Sequence, residues 1–203
     1  MASRLAEIRR YLGVADGGLD SLIESCQAEL DTLARPRSLS RVVLPAEHGD
    51  LCQGQDIARH LEGAVLWVLM AATLGEEVDR RIDRYQVSDL TRGLVLNACA
   101  TASIEALCQR LEEDVREAGV AKNLFLGPRY SPGYGDYPLA VQPRLLQTLE
   151  AGRRLGLMCT KSFFLTPKKS VTALAPLNRT PTPTPASCDG CSQNHNCPYR
   201  GRR

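Results

Sequence analysis

Apolar residues recur at helical spacing at the start of the chain, at Leu5, Ile8 and Leu12, and Gly13, Gly17 and Gly18 end the run. Asp20 is the predicted cap of a second helix, whose apolar stripe is Ile23, Cys26, Leu30 and Leu33, and Arg35 before Pro36 stops it. Residues 39–44 are short, apolar and β-branched, which predicts a strand. A small helix is expected over 55–62. The unbroken apolar run Val65, Leu66, Trp67, Val68 and Leu69 then has the pattern of a central strand buried on both faces. Residues 76–85 predict a helix. A long one follows over about 89–118, with Ser88 as its candidate cap and Asn97, Ala100, Thr101, Ile104, Leu107, Leu111 and Val115 on one face.

Beyond that helix, residues 122–126 predict a short strand. Gln142-Pro143 opens another helix, with Leu145, Leu146 and Leu149 inward and its end between Gly152 and Gly156. Residues 157–165 and 170–177 read as two strands joined by a turn at 166–169, a hairpin signal. Helices and strands mix without regular alternation. The expected class is therefore α+β, with a mixed or antiparallel central sheet flanked by helices.

At 203 residues, 43% hydrophobic and 24% charged, the chain can bury one sizeable core. The expected organisation is one domain over 1–178, which includes the helices of 1–35, a Thr/Pro linker over 179–187 and a Cys-rich tail over 188–203. A net charge of +2 without a concentrated basic face argues against a nucleic-acid partner. The longest apolar run, 63–74, is too short to span a membrane, and the N-terminal residues lack an apolar core of signal-peptide length. A cytoplasmic protein is expected, with its eight cysteines as thiols or metal ligands.

Candidate chemistry concentrates in the segment RYSPGYGDYP, residues 129–138. Gly133 and Gly135 permit positive φ or close approach to a ligand, while Pro132 and Pro138 stiffen the loop. Arg129 offers a planar fork for a carboxylate or phosphate. Tyr130, Tyr134 and Tyr137 place half of the six tyrosines within eight residues, and such rings can hold a purine or attract a cation. A proline-stiffened surface loop whose tyrosines cover the core edge is the alternative reading.

The loop resembles that of the activation domain of cobalamin-dependent methionine synthase, an Arg-x-x-x-Gly-Tyr motif with a proline after it, matched by Arg129, Gly133, Tyr134 and Pro138. The likeness continues at Thr160, Ser162, Phe163, Pro167, Ser170 and Val171, and Glu105 matches a helix glutamate that lies near the family's ligand. It covers about 89–177, with weaker similarity over 55–74. It departs at Asp136, where the family has small apolar residues. The resemblance implies a free-standing S-adenosylmethionine-binding domain with that fold. Arg129 would pair with the methionyl carboxylate, and Pro132, Gly133 and Tyr134 would recognise the adenosine. Glu105 would face the ammonium or sulfonium, with the small residues Ala98, Thr101 and Ala102 leaving room for a partner. It further implies a partner chain that carries cobalamin, a methionine synthase core or another corrinoid protein, with a reductant protein alongside. The ligand would be positioned for reductive methylation of cob(II)alamin. A plain solvated helix residue is the alternative for Glu105.

Cys188-x2-Cys191-x5-Cys197 is a compact metal signature. Its fourth ligand could be His195 or Cys159 for zinc, and an iron–sulfur cluster on three thiolates is equally open. A reduced thiol tail or a redox pair is the bland alternative. The tail also supports a second functional reading, a metal- or cluster-binding interaction module of corrinoid metabolism that has lost the nucleoside ligand. Cys26, Cys99 and Cys108 read as core residues, His48 and His60 as surface or packing histidines. Residues 112–114 read as an exposed acidic face, and Lys168 and Lys169 as a solvated turn.

Overall fold

The computed structural model describes residues 4–14 and 17–181. Among these residues seven α-helices and six strands follow in order as α1 (Arg4–Leu12), α2 (Asp20–Leu33), β1 (Arg37–Val43), α3 (Gln55–His60), β2 (Leu66–Thr73), α4 (Glu76–Ser88), α5 (Leu90–Val120), β3 (Phe125–Leu126), α6 (Gln142–Leu149), α7 (Ala151–Leu155), β4 (Met158–Cys159), β5 (Leu165–Thr166) and β6 (Ser170–Asn178). The main sheet has the order β1-β2-β6-β3, every pair antiparallel. The apolar run at 65–69 forms the expected central strand, buried from Trp67 to Thr73 and paired on both sides.

Alternation along β2 and β6 sends residues to two different cores. Val68, Met70, Ala173 and Ala175 meet Leu111 and Val115 of α5 on one face. Leu69, Ala71 and Leu174 meet Leu145, Leu146 and Leu149 of α6 on the other. The first half of α5 packs among α1, α2 and α4, burying Cys26, Cys99 and Cys108 with Ile8, Ile23 and Val78. The core reading of those three cysteines stands.

Several local expectations change. The segments 157–165 and 170–177 do not form a hairpin together. β4 instead pairs with β5 in a separate two-stranded unit, while β6 takes the place beside β2. Thr160 explains the early reversal: its N–H donates to Phe164 O at 2.8 Å and its hydroxyl accepts from Phe164 N–H at 3.2 Å. The buried run Thr172 to Leu177 then needs neighbours on both sides, which a lone hairpin lacks. Asp89, not Ser88, caps α5 by accepting from Arg92 N–H at 3.0 Å. Ser88 closes α4, where its hydroxyl donates to Arg84 O. Asp20 lies inside the first turn of α2 and pairs with Arg9 of α1, so it ties two helices together rather than capping one. Asn97 is exposed, because the buried positions of that turn are Ala98, Cys99 and Ala100. The predicted strand at 122–126 shortens to its last two residues. Glu150, at φ 54°, breaks the predicted helix after Leu149 into α6 and α7.

A charged cluster clamps the helical layer. Glu29 of α2 accepts from the guanidiniums of Arg81 and Arg92 (3.0 Å for the latter) and from the Tyr85 hydroxyl at 2.9 Å. Burial works to raise its pKa, but these donors outweigh burial and hold it below the ordinary glutamate value. Glu29 therefore contributes stability that is complete above the ordinary carboxylate range and lost as pH falls through its depressed value. Glu29→Gln is expected to cost about 2 kcal/mol in urea unfolding at neutral pH. The gap from the unaltered protein should close in acid, and a gap independent of pH would contradict this account.

Candidate ligand-binding site

The site is a cavity of about 830 Å³ along the outer edge of β6. After β3, the chain runs beside β6 as far as one bridge, where Tyr130 N–H donates to Leu174 O at 2.7 Å and Leu174 N–H to Tyr130 O at 2.9 Å. At Ser131 it turns away. The cavity fills the space it leaves, between residues 170–172, the loop at 130–134 and the tip of the β4–β5 unit.

The loop is held by its ends. Tyr137 is fully buried and its hydroxyl donates to Leu51 O at 3.0 Å. Gly133 and Gly135 take positive φ (95° and 52°), as their types suggested, and Gly133 N–H donates to Tyr137 O at 2.8 Å. Asp136, the position that departs from the family pattern, caps α3 across space by accepting from Gln55 N–H at 2.7 Å and Asp56 N–H at 3.0 Å. Asp56 returns the contact by accepting from Asp136 N–H at 3.2 Å. The approach is close enough that a Cβ on Gly54 would stand 2.6 Å from Asp136 Oδ1, and one on Gly135 would stand 2.1 Å from Asp56 Oδ2. Behind the loop, His60 packs against Tyr130 with ring centroids 5.1 Å apart and the ring planes tilted by 42°. Its Nε2 lies 2.8 Å from Pro128 O, which can only accept, so the proton is on Nε2. Burial depresses the His60 pKa and favours this neutral ring.

Five residues were singled out for the ligand, and the fold puts four of them on the cavity wall: Glu105, Arg129, Pro132 and Tyr134. Gly133 shapes the turn behind them, where a Cβ would press on Leu139 at 3.2 Å. The three tyrosines divide their work: Tyr130 and Tyr134 line the cavity, and Tyr137 belongs to the core.

The charged end of the cavity is an ion cluster. Arg129 bonds Glu105 through one terminal nitrogen and Glu112 through the other, at 2.7 Å for the second contact. Burial opposes the guanidinium charge, but Glu112 and Glu105 more than restore it and raise the Arg129 pKa. Cys108 lies beneath with its thiol pushed up to about 12 by burial, so it stays protonated. Two carboxylates on one guanidinium leave the cluster with a net negative charge.

Sequence reasoning missed several residues. Glu112 is not part of an exposed face; its side chain turns to Arg129 while Glu113 and Asp114 point to solvent. Its place seven residues after Glu105, two helical turns, was the available signal. Gln142 and Thr172 also line the cavity, as do Phe163 and Phe164 at its mouth. Phe163 holds φ 66°, an unusual conformation for a bulky residue, and no periodicity announces it. Lys168 is exposed and pairs with Asp83 at 2.8 Å, as a solvated turn would allow. Lys169 is half-buried with Nζ donating to Thr101 Oγ1 at 2.9 Å, and burial depresses its pKa. Ala98 and Ala102 face the core, so they leave no room for a partner. Cys188, Cys191, His195 and Cys197 lie outside the described residues. Among the described residues no cluster of three or more His, Cys, Asp or Glu could hold a metal ion, and no helix is long and apolar enough to cross a membrane.

A curled antiparallel four-stranded sheet with helices on both faces makes this an α+β fold, and its likeness in fold is to the methionine synthase reactivation domain. One solved structure it is similar to is that of the MetH reactivation domain bound to AdoHcy, with a TM-score of 0.60 and 18% identity, covering 88% of this chain and 72% of that one. No protein-family model matches the sequence, and no curated protein does.

The Asp136 carboxyl is held below its ordinary pKa chiefly by the Asp56 and Gln55 amides. Asp136→Ala is expected to raise hydrogen exchange at Gln55 and Asp56 by about tenfold or more at neutral pH, while core amides of β2 stay protected. Unchanged exchange at both amides would show that the cap does not hold the loop.

Proposed function

We propose that the cavity binds S-adenosylmethionine and presents its methyl group to a cobalamin on a partner chain, as the reactivation component of a cobalamin-dependent methionine synthase core or a related corrinoid protein. The observation that carries the proposal is the cavity. It joins an ion cluster of net negative charge to a mouth of aromatic rings, on a fold similar to one solved with AdoHcy bound.

The ligand is zwitterionic at its amino-acid end and positive at sulfur. Arg129 has five N–H donors, and its two terminal nitrogens each give one bond to a carboxylate. The ligand's carboxylate can replace Glu105 on Arg129 while Glu112 keeps the guanidinium in place. Glu105 is then free for the ammonium or the sulfonium, so no charge is stranded. Exposed Tyr134, with Phe163 and Phe164, supplies ring faces for the nucleoside and for the sulfonium.

When bound, the ligand supplies a methyl cation, and the electron for reactivation comes from a separate reductant protein. The chain itself orients the ligand and excludes water around it, a contribution of proximity that needs no acid, base or nucleophile on this protein.

S-adenosylmethionine is expected to raise the melting temperature, and Arg129→Gln to remove the shift. In calorimetry the sulfonium ligand should bind about fivefold more tightly than AdoHcy, which lacks the charge at sulfur. Glu105→Gln should level the two. No binding of either ligand would overturn the proposal; equal binding by the unaltered protein would overturn a contact of Glu105 with the sulfonium.

A further inference from the structure

Gln142 and Thr172 are 4% and 2% exposed, yet both line the cavity. The Thr172 hydroxyl donates to Gln142 Oε1 at 2.7 Å. That bond fixes the amide and occupies its acceptor, which leaves Nε2 with two N–H groups. Among the described residues Nε2 has no protein partner. The fully sealed side-chain atoms without a partner are Gln27 Oε1 and His48 Nδ1. Nε2 of Gln142 therefore keeps contact with open space, and the opening beside it is the cavity.

The backbone next to it is open too. Leu74 N–H donates to Lys169 O at 2.9 Å, so odd-numbered residues of β6 bond towards β2. Even-numbered ones bond outwards: Leu174 to Tyr130, and Pro176 O to Gly127 N–H at 2.9 Å. By the same alternation the N–H and C=O of Thr172 address the outer edge, two residues past the last bridge, where the neighbouring segment has left. Three fixed hydrogen-bonding groups thus border one part of the cavity: the Thr172 N–H and C=O in the plane of the sheet edge, and the Gln142 amide on the α6 face. The Arg129 cluster lies with α5 on the other face.

We infer that Gln142 and the open backbone edge of Thr172 read the purine of the bound nucleoside; this rests on the cavity being the S-adenosylmethionine site. An uncharged heterocycle with a ring-nitrogen acceptor beside an amine donor matches a backbone N–H and C=O on one strand edge, with the amide N–H serving a second acceptor. The charged amino-acid end goes to the opposite pole, where the ions are. Gln142 is a specificity-determining residue on this view, and Thr172 positions it.

Side-chain amide NMR signals of Gln142, assigned by their loss in Gln142→Leu, test this directly on the unaltered protein. Saturating S-adenosylmethionine should shift them and slow their exchange with solvent. Gln142→Leu and Gln142→Glu, which both lack the N–H groups, should bind about three- to tenfold more weakly. At least one analogue with a purine ring nitrogen replaced by C–H should lose a similar factor against the unaltered protein and nothing further against the variants. Binding with unmoved Gln142 signals, or equal penalties for every analogue in all proteins, would overturn this inference and leave the ligand proposal standing. No binding at all would overturn both.

Discussion

A guanidinium taken largely out of water needs its counter-charges close by, and Arg129 obtains them from a single helix. Glu105 and Glu112 sit two turns apart on α5 and approach the two terminal nitrogens of Arg129. This pairing locks the segment that runs beside β6 to the long helix. The chain is committed to follow the strand as far as Tyr130 and is free to leave after it. The cavity is the space created by that departure. Had the segment continued along the strand, the backbone groups of Thr172 would have been paired and the space closed. Charge pairing and the incompleteness of the sheet edge are therefore one arrangement seen from two sides.

The division of labour in the loop follows from the same constraint. A loop that borders an opening cannot rely on the cavity for support, so its anchors lie elsewhere. Tyr137 enters the core, and Asp136 caps a helix some eighty residues earlier in the chain. Tyr134 is left exposed. A cluster of tyrosines that looks uniform in sequence separates into one anchor, one bridge residue and one exposed ring set edge-on to the bridge residue.

Much of this was legible from local pattern. The apolar run at 65–69 announced a strand buried on both faces. The glycines at 133 and 135 announced positive φ, and the helix residues fell at their expected spacing. Arg129, Glu105, Pro132 and Tyr134 were recognisable through a motif and meet at one cavity. What escaped was set by distant partners. Glu112 differs from Glu113 in sequence only by its spacing of two turns from Glu105, and that spacing gains meaning only with the arrival of Arg129. Gln142 looked like the start of a helix, which it is, and its second role depends on Thr172 thirty residues later. The hairpin expected across 166–169 failed because β6 finds a better neighbour in β2, a tertiary choice that strand propensity does not encode.

Every cavity-lining residue lies at position 105 or beyond, and the resemblance to a known family is strongest from 89 onward. It would be natural to regard that stretch as the minimal functional piece. The interlock between the loop and α3 argues otherwise. Each aspartate of the pair serves the other's backbone, with two glycines leaving just enough clearance. A shortened chain beginning at residue 89 would hold every wall of the chamber but neither the strand β2 that supports β6 nor the fastening that keeps the loop wall upright. The smallest unit able to preserve the shape must reach back at least to residue 54, so the boundary of the function does not coincide with the boundary of the motif.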